Sequence, residues 1–199
     1  VSPNELEKET PYIKHNIEFT RFGYGLDTVS EKPFDVSTKQ NLKELYSTKN
    51  TMRNIRLWNE DTLKQTFKQL QEIRLYYEFK HVDVGAYTIN GNKQQVMLSA
   101  RELDITQLSS KAKTWVNEHL IYTHGFGLCL SPVNQVSPEG LPYFFIKDLP
   151  PTKTDDLAIT QPEIYFGEAT DNYVITNTKQ AEFNYPKGDQ NEQTHYHGS

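Results

Sequence analysis

His81-Val82-Asp83-Val84-Gly85-Ala86-Tyr87-Thr88-Ile89-Asn90-Gly91 is the stretch whose reading decides the fold. Its residues alternate, as a strand with two distinct faces requires. Asn90-Gly91 is the pair preferred in a two-residue type I′ turn, because both positions accept positive φ. Gln94 to Ala100 then returns as the partner strand, carrying Val96 and Leu98. An antiparallel hairpin is expected over 81–100. On its first strand Val82, Val84 and Ala86 point one way, and His81, Asp83 and Gly85 the other. One acid and one imidazole are too few ligands for a cation, so the second row reads as a solvated face.

Upstream, Leu63, Phe67, Leu70 and Arg74 recur at three- and four-residue steps, with Ile73 and Tyr77 beside them. This predicts a helix over 60–77, capped by Asn59 or Asp61. Asn54 to Trp58 alternates as a short strand would. Leu42, Leu45 and Tyr46 mark a short helix, and 27–37 reads as an extended connection through Pro33-Phe34. Thr10-Pro11 is a helix start, and Gly23 or Gly25 a stop. Ser2-Pro3-Asn4-Glu5 allows a leading turn before it.

Downstream, Arg101 precedes Glu102 and Asp104, which suggests an ion-pair network at the strand end. Leu108, Ala112, Trp115, Val116 and His119 predict a helix over 109–120. Short strands are expected at 126–130, 143–147, 163–166 and 173–178. Pro132, Pro138, Pro142, Pro150, Pro151 and Pro162 lie between them and exclude long central strands. The segment 186–199 is polar and reads as a poorly ordered tail. Together these elements predict an α+β fold: an antiparallel or mixed sheet with helices from 11–22, 60–77 and 109–120. One domain is expected over 1–185, its helical N-terminal part being about 1–50.

Composition narrows the function classes. The 199 residues are 36% hydrophobic, but 12 Tyr, 10 Phe and 2 Trp bury large areas each, so an adequate core is feasible. A net charge of −5 argues against a nucleic-acid footprint. No apolar run reaches the roughly 20 residues of a membrane span, and the first residues lack a secretory leader pattern. Cys129 is the only cysteine and lies in the apolar Gly127-Leu128-Cys129-Leu130, where a buried, inert thiol is expected.

The stretch richest in chemistry is Trp115-Val116-Asn117-Glu118-His119-Leu120-Ile121-Tyr122-Thr123-His124-Gly125. His119 and His124 are five apart, so one helix face cannot present both unless the helix ends between them. In a metal-assisted hydrolase, Glu118 would be the base, His119 and His124 the ligands, and Tyr122 or Thr123 the oxyanion donor. The plainer reading packs His119 on Trp115 and holds His124 by a hydrogen bond in the turn. His195 and His197 are an opportunistic chelating pair. The chain has no Walker loop, GxGxxG, GxSxG or HExxH, and no cofactor is called for.

Several blocks in order resemble a large uncharacterised bacterial family of integral membrane proteins. They include Asn54-Ile55-Arg56-Leu57-Trp58, Gln95-Val96-Met97-Leu98-Ser99-Ala100-Arg101-Glu102-Leu103, Tyr122-Thr123-His124-Gly125 and Ile164-Tyr165-Phe166-Gly167-Glu168. The resemblance implies about seven membrane helices followed by a large extracytoplasmic region, of which this chain would be the start. Its implied partners are the remainder of its own membrane protein or another extracytoplasmic protein. No catalytic residue can be carried over. Relatives tend to hold more acids where this chain has His81 and Gly85, which weighs further against a metal on that face. Three roles follow as expectations: an interaction or assembly domain, a ligand-binding or sensing module of a transporter-like protein, and the hydrolase.

Overall fold

The computed structural model describes residues 4–33, 41–154, 157–170 and 172–197, the side chains of 44 and 45 excepted. The extended connection expected over 27–37 and the turn expected from Ser2 lie partly outside these residues. The fold is α+β, and the chain forms two compact units, 1–41 and 42–199.

The first unit is built on α1 (Glu5–Gly23). It starts before Thr10-Pro11 and runs through Pro11, contrary to expectation. Proline lacks an N–H and frees a carbonyl one turn back. Beside it, the Thr10 hydroxyl donates to the Leu6 carbonyl at 2.5 Å. The helix stops at the expected glycines: Gly25 takes φ 64, ahead of a 3-10 turn, Leu26–Thr28. No residue of α1 is buried.

The second unit opens with α2 (Leu42–Ser47), α3 (Lys49–Arg53) and α4 (Glu60–Gln71). Asn59 caps α4, its side chain accepting from Asp61 N at 2.9 Å and Thr62 N at 3.4 Å. The segment before it is not the expected strand. Leu57 N reaches the Val133 carbonyl and Trp58 Nε1 the Gln135 carbonyl, so it is strapped down at two points rather than laddered.

The strands are β1 (Tyr77–Glu78), β2 (Asp83–Ile89), β3 (Asn92–Ala100), β4 (Glu102–Leu103), β5 (Gly125–Phe126), β6 (Leu128–Pro132), β7 (Ile146–Lys147), β8 (Thr152–Lys153), β9 (Glu163–Ile164), β10 (Glu182–Lys187) and β11 (Gln190–Thr194). The main sheet runs β2-β3-β6-β7-β8, antiparallel throughout, and β1 pairs with β4, β5 with β9, and β10 with β11. The predicted hairpin is present: Ile89 pairs with Asn92 across Asn90 (φ 50) and Gly91 (φ 73).

The sheet is buried on both faces in its middle. Leu63 and Phe67 of α4 pack with Phe79, Val82, Met97, Cys129 and Val133. On the opposite face, Ile89, Val96, Leu130, Phe145 and Ile146 form a second cluster. Alternation along β3 explains the division, since Val96 and Met97 are neighbours and both fully buried. The row expected to be solvated is exposed at His81, Asp83 and Tyr87, and at Ile89 it enters the second core.

Arg101 corrects the ion-pair expectation and explains where α4 stops. Its side chain is fully buried and reaches backbone, not Glu102 or Asp104. Nε donates to the Gln71 carbonyl at 2.8 Å, and Nη1 to the Phe126 carbonyl at 3.0 Å. Nη2 donates to Gln71 Oε1 at 3.3 Å, and the guanidinium lies over the Phe79 ring. Arg101 thus takes up a carbonyl that a helix end leaves without a partner. The chain then turns through Ile73 at φ 65 and delivers Tyr77 to the interior, ending α4 six residues before the predicted limit of 77.

Candidate functional site

The helix expected over 109–120 forms only from Trp115, after turns, and widens into a π-helical segment, Asn117–Ile121, closed by Tyr122 N to the Asn117 carbonyl at 2.8 Å. Local polar side chains compete for the backbone here. Asn117 Nδ2 donates to the Ala112 carbonyl at 2.8 Å, and Thr114 Oγ1 accepts from Asn117 N at 3.3 Å. An α-helix running unbroken from 109 would forgo both. The wider turn sets the positions of Glu118, His119 and His124.

Glu118 and His124 border one cleft, and His119 lies apart from it. Glu118 lines a cleft of about 170 Å³ shared with Glu78, Lys80, Asp104, Thr123 and His124. His119 is buried and gives its Nδ1 proton to the Tyr173 carbonyl at 2.8 Å. Its ring stacks on Tyr173, centroids 4.2 Å apart and planes within 5°, and Trp115 lies 5.2 Å away. The plainer reading of His119 and Trp115 as packed neighbours is what the geometry shows.

His124 belongs to a buried polar knot that the sequence did not reveal. Its Nδ1 lies 2.9 Å from Thr123 Oγ1, and that hydroxyl donates to Glu182 Oε2 at 2.5 Å. A hydroxyl has one proton, so His124 Nδ1 must be the donor to Thr123. Nε2 lies 3.3 Å from the side-chain oxygen Oδ1 of Asn184. Glu182 also accepts from Tyr165 OH at 2.9 Å and Tyr196 N at 3.2 Å. Burial lowers the His124 pKa, against the opposing pull of Asn184 and Glu182. Burial, then the Glu182 acceptor, pushes the Tyr165 phenol up.

This knot fastens β10 and the residues after β11 to the β5 strand entry. The segment 186–199, expected to fray, instead supplies β11 and Tyr196. The overlooked signal was Gly188-Asp189 between alternating residues, a turn pair with Gly188 at φ 60. Glu182 itself lies 59 residues from Thr123, and no spacing pattern connects them.

His124 Nδ1 and both Glu182 oxygens are engaged, and His119 Nδ1 donates to the Tyr173 carbonyl. Among the described residues, no group of three or more His, Cys, Asp or Glu is placed to hold a metal ion. Cys129 is buried, and burial raises its thiol pKa to about 12. A second hollow, about 590 Å³, is walled by Tyr165, Phe166, Tyr173 and Tyr196.

Fold and site together define an α+β domain whose buried polar groups join distant segments of its own chain. The chain belongs to the family described as Uncharacterised protein family (UPF0182), matching it over residues 1–199. It is 50% identical over 198 residues to a UPF0182 protein of Pelotomaculum thermopropionicum, with 100% of this chain and 22% of that protein covered. The UPF0182 proteins of Trichodesmium erythraeum and Geobacter sulfurreducens are also 50% identical, again with 100% of this chain and 22% of theirs covered. The chain thus spans about a fifth of the length of the curated relatives it matches. No solved structure matches it.

Proposed function

We propose that this chain is an assembly module of a longer membrane protein, held on the extracytoplasmic side and packed through α1 against the rest of the same polypeptide. The observation that carries the reading is the surface of α1. At 3.6 residues per turn, Leu6, Ile13 and Ile17 fall on one side and Tyr12, Phe19 and Phe22 on the opposite side. All six are exposed, Leu6 and Phe19 each at 75%. A helix apolar on two opposed sides suits burial among several elements, not docking on one flat partner. The relatives' greater length supplies candidate partners. The membrane and its sidedness rest on the family resemblance; no helix among the described residues is long and apolar enough to cross a bilayer.

The test is photo-crosslinking from positions 17 and 19 in the longer protein within native membranes. Intramolecular crosslinks from both positions, to two different segments, are expected. Crosslinks only to lipid or to unrelated proteins would overturn the reading. Labelling of a cysteine placed at exposed Gln65 by an impermeant reagent, in intact cells, checks the sidedness.

A further inference from the structure

We infer that the hollow walled by Tyr165, Phe166, Tyr173 and Tyr196 is a binding site for an uncharged saccharide. It lies within the 42–199 unit and goes beyond the assembly role, which rests on α1.

The walls are anchored from behind. Tyr165 is tied through its hydroxyl to Glu182, and Tyr196 through its backbone N–H to the same carboxylate. Their rings meet at 89°, centroids 5.0 Å apart, forming a corner. Tyr173 has one face stacked on His119, and its hydroxyl accepts from Trp115 Nε1 at 3.4 Å, yet the residue stays 60% exposed. One ring face is therefore presented outward by a fixed support. Phe166 stands at the rim, 92% exposed. Rings held this way lose little freedom when a ligand arrives, which distinguishes a prepared surface from stray surface aromatics.

The polar lining decides the ligand class. Thr170 and Thr176 hydroxyls and the Asn172 amide border the rings, and no described lining residue is charged. Hydroxyls and an amide donate and accept alike, matching a ligand whose own groups do both. Aromatic faces cover the C–H faces of a sugar ring through dispersion and weak C–H contacts. A proline-rich peptide also uses aromatic grooves, but it needs donors for carbonyls along an extended track. Tyr165 and Tyr196 meet at a right angle instead of lining a straight track.

The probes are cellotriose, maltotriose and chitotriose, with a proline-rich decapeptide as the rival, titrated calorimetrically into the 199-residue chain. At least one trisaccharide should bind saturably below about 10 mM. Phe166→Ala should weaken it roughly three- to tenfold, the range of one aromatic contact. Phe166 is so exposed that this variant keeps the fold. Tyr173→Phe should retain binding and Tyr173→Ala lose it. No saturation by any trisaccharide, binding of the peptide alone, or unchanged affinity in Phe166→Ala would overturn the site. None of these outcomes bears on the crosslinks from α1, so the two readings fail separately.

Discussion

Helices α1 and α4 carry comparable apolar residues at helical steps and meet different fates. The 12 residues of α4 bury Leu63, Phe67 and Gln71, whereas the 19 residues of α1 bury none. In α4 the apolar residues gather on one stripe, and β3 offers Met97 to receive them. In α1 they divide between opposed sides, so no single layer can cover them. Helix formation is local, whereas burial needs a partner of matching shape, and the distribution of residues around the axis decides how many partners.

The contrast can be broken most severely at Phe67. Phe67→Ala should cost about 3–5 kcal/mol in urea unfolding, since the ring is fully buried. Arg101→Met follows, at about 2–4 kcal/mol, because the Gln71 and Phe126 carbonyls lose their donors. His124→Ala should cost about 1–3 kcal/mol and loosen β10 and β11, visible as faster amide exchange there.

A pH series sharpens the same site. The folded His124 pKa lies below the ordinary 6.5, so the unfolded chain takes up the proton first as pH falls. The contribution of the neutral ring is complete above about pH 6.5 and declines below it, until the pH passes the lowered folded value. His124→Gln should flatten that decline. The smallest effect belongs to α1: Phe19→Ser should change the stability of the 42–199 unit by less than about 0.5 kcal/mol. A larger loss there would mean that α1 already has a partner in this chain. In the longer protein the same substitution should reduce assembly.

The candidate site was partly legible. Trp115 against His119 followed from their four-residue step, because neighbours on a turn need no distant element. The knot did not follow. Thr123, Tyr165, Glu182 and Asn184 are dispersed in sequence, and each alone resembles a surface polar residue. Arg101 was misread for a related reason: adjacent opposite charges suggest pairing, but on a strand adjacent residues face opposite ways.

The sequence by itself determined what short-range physics controls. The β2–β3 hairpin followed from alternation and the Asn90-Gly91 turn, the start of α4 from Asn59, and the end of α1 from Gly23 and Gly25. Only the tertiary structure decided the stop of α4 and the capture of β10 and β11. Each depends on a buried polar group meeting a partner contributed by a remote segment. Desolvation makes an unpaired buried group costly, so these meetings override local preference, and no periodicity records them.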